Sequence, residues 1–253
     1  MVRELRAVVL RALGYAVVLE AMLAAAVLYW PKFRDNVPAV LRFVPGKVLG
    51  GLVASMASRG ADGYVILQHF FKGCHLLGGA AAVLFAAGAV AGEAHRGTLE
   101  IWLALPVSRR RLLAERYLAG LLAVALPILA TSATVPWLLS LVEENSRLAP
   151  WLLGGVHEAV FLGALYSATF LLSALGSRPT AIAFGAILAL VLEFAIYLVM
   201  EATHVSIYRL ADVEDFTRIF ETGALDPRVL LPLALASALL FTGAQAAFAR
   251  RVP

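Results

Sequence analysis

Gly92–Arg116 reads GEAHRGTLEIWLALPVSRRRLLAER. It is dense in charge and lies between two long apolar runs that are nearly free of it. That contrast is the mark of a cytoplasmic loop joining two membrane-spanning helices. The loop has internal order. Gly97-Thr98 opens a short amphipathic helix on which Leu99, Trp102 and Leu103 share one face and Glu100 falls away from it. Seven helical residues span only about 10 Å and do not persist alone in water. Such a helix has to pack on neighbouring helices or on a partner. Pro106-Val107-Ser108 then turns the chain, and Ser108 is placed to cap the next helix. Arg109-Arg110-Arg111 oppose the positive end of that helix's dipole. Lipid phosphates or an acidic partner surface would suit them better.

The rest of the chain fits a membrane setting. It has 253 residues, of which 61% are hydrophobic and 15% charged. A soluble domain carries nearer 25% charge, so there is too little polar surface here for a water-facing globule. The net charge is +4. The arginines cluster at the ends of apolar segments, which points to membrane topology and lipid headgroups and away from nucleic acid. Cys74 is the single cysteine, so neither an intrachain disulfide nor a cysteine-based metal cluster is expected.

A spanning helix needs roughly 20 mostly apolar residues. Six stretches qualify, at 12–30, 72–91, 116–141, 151–174, 180–200 and 229–249. Residues 1–253 are thus expected to form a single all-α transmembrane domain. An even number of spans puts both termini on one side. Basic residues there are packed into short segments, while on the other side they are spread over 31–71 and 201–228. The positive-inside rule weighs short loops, so both termini are expected in the cytoplasm, with the chain in the plasma membrane. Leu5, Val8, Val9 and Ala12 form a helical stripe before the first span. That spacing predicts an interfacial helix over 3–13, or else an early start of span one. In the second outer segment, Leu210, Val213, Phe216 and Phe220 predict a helix on the outer surface, or a lid, ended by Asp226-Pro227.

Glu20, Glu158 and Glu193 fall within or near spans. Carboxylates at bilayer depth are costly and usually face a partner helix or a water-filled cavity. They are the candidates for a translocation path, Glu193 being the deepest. His69 and His75 are expected as surface residues at the outer end of span two, and no metal site is expected. Gly88 and Gly92 form a GxxxG face that would allow close helix contact. Pro127 and Pro136 predict bends in span three.

The loop elements resemble the inner loop between spans two and three of type-2 ABC-transporter permeases. In that family a Glu closes span two, a Gly-Thr-Leu-Glu run follows, and a Leu-Pro-Val-Ser-Arg-like turn precedes span three. Here these are Glu93, Gly97-Thr98-Leu99-Glu100 and Leu105-Pro106-Val107-Ser108-Arg109. The family often has a lysine after the turn, where this chain has Glu115-Arg116. The resemblance implies a permease subunit of an exporter, driven by two cytoplasmic ABC ATPase subunits and paired with a second permease subunit, identical or related. It implies that Thr98–Leu105 is a coupling helix docking on the ATPase, with Trp102 and Pro106 in the docking element. Glu93 and Arg96 would position its base.

ATP and Mg are expected on the partner. A P-loop needs Gly-Lys followed by Ser or Thr, and the three lysines, Lys32, Lys47 and Lys72, are followed by Phe33, Val48 and Gly73. No catalytic residue and no cofactor is therefore assigned to this chain. The main alternative is a membrane scaffold or assembly factor of the same fold that transports nothing. An intramembrane protease is disfavoured because His157-Glu158 does not continue as HExxH, and a secondary transporter because no three-plus-three repeat is visible.

Overall fold

The computed structural model describes residues 2–43, 59–104, 106–199 and 201–251. Among these residues, six helices are long and apolar enough to cross a membrane. They are α1 (Val2–Phe43), α2 (Gly60–Ala89), α5 (Arg109–Ser140), α6 (Leu148–Leu175), α7 (Pro179–Tyr197) and α9 (Pro227–Ala249). Two short helices, α3 (Ala91–His95) and α4 (Leu99–Leu103), lie between α2 and α5. Helix α8 (Val213–Thr222) precedes α9. There is no strand among the described residues.

Side-chain pairings fix the directions. Glu20 pairs with Thr134 and Trp30 with Glu144, both 114 residues apart, so α1 and α5 run the same way. His75 meets Glu158 and Val90 meets Ser173, so α2 and α6 also run parallel. Tyr117 meets Ser167 while Gly155 faces Ser132, so α5 and α6 are antiparallel. Helices α1, α2, α5 and α6 therefore alternate in direction across the bundle. The residue 92–108 loop, the α6–α7 turn and the end of α9 share one face.

Burial is uneven. In its most apolar window α2 is 67% buried, against 11% for α9. Helices α2 and α6 form the centre, while α1, α7 and α9 turn rows such as Val17, Phe184, Leu188, Leu235 and Leu239 outward. The centre packs through glycines. A Cβ on Gly154 would lie 2.8 Å from the Phe70 ring, and one on Gly78 would lie 2.6 Å from Leu162. The Gly88 and Gly92 face has no such role. A Cβ on Gly88 meets nothing within 4 Å, and one on Gly92 meets only the Arg96 guanidinium.

Helix α2 starts twelve residues earlier than the apolar run indicates. Leu67–Gly78 is π-helical, and its i→i+5 repeat stacks Phe70 and His75 on one face, toward the interior. His69 and His75 are both 1% exposed, which corrects their expected surface location. His75 Nδ1 lies 2.9 Å from Phe70 O and 3.2 Å from Glu158 Oε1, and His69 Nε2 lies 3.1 Å from Ser132 Oγ. At the other end of the chain's first helix, the expected interfacial segment over 3–13 is not a separate element. It is the continuous beginning of α1. The outer segment 31–71 is also mostly helical where described, as α1 runs to Phe43 and α2 begins at Gly60; residues 44–58 lie outside the described residues. Both prolines sit inside α5 without ending it, and Thr131 Oγ1 donates to Pro127 O.

The second outer segment closes over the ends of α2 and α6. Asp212 caps α8, accepting from Val213 N at 2.6 Å and from Tyr197 Oη at 2.7 Å. Phe216 stacks on Phe70 with centroids 4.5 Å apart and planes 4° apart, and Phe220 sets its edge against Trp151. The helix stops at Gly223, which is left-handed at φ 65°, and so ends before Asp226-Pro227. Asp226 instead caps α9, accepting from Arg228 N. Leu210 stays exposed in a 3-10 turn over Ile207–Ala211.

At the α5–α6 crossing, a Cβ on Gly120 would fall inside contact distance of Tyr166 Oη and 2.8 Å from Cζ. Tyr166 is 0% exposed and has no room to yield. Gly120→Ala is expected to cost about 1–3 kcal/mol by overpacking and to lower the unfolding temperature in detergent. Gly185→Ala, where a Cβ meets nothing within 4 Å, is expected to leave that temperature unchanged or raise it.

Candidate functional site: the loop between spans two and three

The loop is built from its helix ends. Helix α3 finishes in a Schellman motif, with Gly97 N donating to Ala94 O and Thr98 N to Glu93 O. The motif needs a left-handed residue after the cap, and Gly97 supplies it at φ 69°. This reverses the chain and starts α4 one residue after Thr98.

The Glu93 side chain is the anchor of the loop. It is 6% exposed. Arg96 and the Thr98 hydroxyl each donate to its carboxylate, one to each oxygen. Arg116 Nη1, from α5, lies 3.8 Å from Glu93 Oε1, and the same guanidinium sits over the Trp102 ring. A cation over an indole face is held by the ring quadrupole. Glu93, Arg116 and Trp102 thus form a closed link from the end of span two, through the start of span three, to the short helix. Leu99 and Trp102 are 8% exposed and face the bundle. On the opposite side Glu100, Ala104 and Pro106 are exposed, with Ile101 at 65% and Val107 at 40%. The helix therefore shows its partner-free face as a mixed apolar and acidic tip. Ser108 caps α5, accepting from Arg111 N at 3.3 Å.

Arg109 has a role within the fold. Its guanidinium donates to Ala249 O at 3.2 Å and Arg251 O at 2.7 Å, meeting orphan carbonyls at the end of α9. Arg251 in turn donates to Gly176 O, at the end of α6. Burial lowers the Arg251 pKa from its ordinary value, but a guanidinium remains charged in proteins. Arg111 pairs with Glu115 at 2.8 Å. Of the three arginines, Arg109 therefore ties helix ends together.

The structure brings Glu93, Arg96, Gly97, Thr98, Leu99, Glu100, Trp102, Pro106 and Arg109 onto one face; Leu105 lies outside the described residues. The three intramembrane carboxylates have separate surroundings. Glu20 accepts from Thr134 Oγ1 at 3.0 Å. Glu158 is 0% exposed, with the His75 ring beside it. Glu193 accepts from Ile207 N at 3.1 Å, and its carbonyl accepts from Ser206 Oγ. It thus anchors the outer 3-10 turn near the end of α7, which corrects its expected place as the deepest carboxylate. Among the described residues, no three His, Cys, Asp or Glu side chains converge as metal ligands. Arg116 and His75 hold central positions that sequence reasoning missed. Arg116 is one basic residue among many in a basic stretch, and a histidine beside a lysine (Lys72) reads as polar surface.

Glu93→Ala removes charged hydrogen bonds that are each worth about 1.5–3 kcal/mol. Amide hydrogen exchange over residues 97–104 is expected to rise roughly ten- to hundredfold, while Glu100→Ala, on the exposed face, leaves it unchanged.

Comparison with known proteins adds the family. Residues 49–211 match the model of the ABC-2 family transporter protein. No curated protein and no solved structure matches the chain. The match covers more than half of the 253 residues and includes α2, the whole anchored loop, and α5 to α7. With six apolar helices behind that loop, the chain belongs to the ABC-2 transporter family and is the multi-pass membrane permease component of an ABC transporter, a partner of an ABC ATPase.

Proposed function

We propose that this chain is an exporting permease whose residue 93–109 loop is the docking point for the ATPase. The observation that carries this is the two-sided character of α4. One side is clamped to the bundle through Glu93, Arg116 and Trp102, and the other presents Ile101, Val107 and Glu100 outward. A five-residue helix has no stability of its own, so the clamp makes it a rigid prong able to transmit force.

The ATPase supplies ATP and Mg chemistry and grips the prong from the cytoplasm, where both termini also lie. Two permease subunits and two ATPase subunits make the assembly, in the plasma membrane. The outward apolar rows of α1, α7 and α9 meet lipid or the second permease subunit. Glu20, Glu158 and Glu193 are candidates for contact with cargo, made available as the bundle rearranges.

Ile101→Glu places a charge at the centre of the docking face. It is expected to abolish co-purification of the ATPase and permease-dependent ATP hydrolysis, with membrane insertion intact. Gly97→Pro, which forbids the left-handed turn, is expected to do the same. ATPase binding that persists unchanged in both variants overturns the docking assignment.

A further inference from the structure

Span two does not run smoothly into the loop. It stops at Ala89, and Val90 adopts φ −118°, ψ −50° before α3 begins at Ala91. In an unbroken helix Ala91 N would donate to Ala87 O. Here a side chain from another span occupies that bond. Ser173 Oγ, on α6, accepts from Ala91 N at 2.9 Å and from Val90 N at 3.1 Å, and donates to Ala87 O at 2.9 Å. A serine hydroxyl has one donor and two lone pairs, so all three are used. Ser173 is 0% exposed.

Insertion of a side chain into the i→i−4 ladder is a recognised cause of a sharp kink. What matters is where this kink falls. The turn after it carries Glu93, two residues beyond Ala91, and Glu93 anchors the loop. Gly88 and Gly92 flank the kink without tight packing against another span, since Cβ atoms built on them meet open space and a flexible arginine end. The loop's root is therefore joined to α6 through hydrogen bonds as well as to α2 through the chain.

We infer that Ser173 is a positioning residue: its hydroxyl splices α6 into the break in span two, so displacement of the docking loop is passed to α6. The inference rests on the docking role proposed for α4. When the loop is pushed, α3 swings about Val90, and the hydroxyl carries that motion into α6. Tyr166, Phe170 and Glu158 lie further along the same rigid helix, at its contacts with α5, α9 and α2. Without the hydroxyl, Ala91 N and Ala87 O are free to bond directly. Span two then straightens locally and α6 loses its hydrogen-bonded tie to the root of the loop, keeping only its packing on the body of α2, with no polar group orphaned at those two atoms.

The test is made on the reconstituted complex of the permease with its ABC ATPase, comparing nucleotide-free and ADP–vanadate-trapped states. Cys74, the native cysteine, is 0% exposed, so nitroxide labels go to introduced cysteines. Leu141→Cys on the outer end of α5 is paired with His95→Cys on α3, and separately with Leu175→Cys on α6. Electron–electron resonance distances in the native background are expected to shift for both pairs on trapping. In Ser173→Ala the 95–141 shift is expected to remain and the 175–141 shift to shrink by at least half. Ser173→Thr, which keeps the hydroxyl, is expected to restore it, which a merely space-filling role would not. If Ser173→Ala keeps the 175–141 shift undiminished, the inference is overturned and docking stands. If the 95–141 distance is static in a native complex that hydrolyses ATP, the docking reading itself falls, and this inference with it.

Discussion

Lipid offers no hydrogen-bond partner, so wherever a spanning helix departs from the regular ladder the protein must satisfy the freed groups itself. Helix α2 departs from it twice. In its first half the i→i+5 repeat over Leu67–Gly78 turns His69, Phe70 and His75 toward the bundle interior, and Ser132 and Glu158 on neighbouring spans meet the two histidines. At its inner end the Val90 break is met by Ser173. Both departures make α2 depend on its neighbours, and α6 supplies a partner for each. The two central helices are best regarded as one mechanical body.

The loop follows the same logic outside the membrane. A left-handed glycine ends α3, and a buried carboxylate collects the donors that the turn leaves behind. The arginine over Trp102 joins that carboxylate to α4. Each piece is short, and none would hold its shape alone. Together they convert the weakest kind of secondary structure into a fixed projection. The tie from Arg109 through Arg251 to Gly176 does comparable work at the ends of α5, α9 and α6.

Much of this is legible in the chain. Spans three to six read directly, because runs such as Pro179–Tyr197 are almost wholly apolar and are bounded by capping residues or prolines. The loop reads well because Gly97, Ser108 and the Leu99/Trp102 face each have a local signature. Span two reads short. Asp62, Gln68, His69, Lys72 and His75 interrupt its apolar run, and the partners of its two histidines sit on helices distant in sequence. Residues whose meaning is tertiary are silent for the same reason. Ser173 is one hydroxyl in an apolar helix, and Arg116 is the last cation of a basic stretch. The GxxxG pair misleads because a small-residue spacing shows that close approach is permitted, whereas the close approaches occur at Gly78, Gly120 and Gly154.

The first helix has a geometric consequence. Its 42 residues extend roughly 63 Å at 1.5 Å per residue, about twice the thickness of a bilayer's hydrocarbon core. Trp30 and Arg34 fasten it to Glu144 beyond the end of α5, and Glu20 fastens it to α5 lower down. With two clamps on one neighbour, the surplus length has to emerge from the bilayer as a rigid mast or be absorbed by leaning. Because α1 and α5 are parallel and doubly pinned, a lean in one obliges the other to follow, so local membrane thickness becomes a parameter of the bundle's shape.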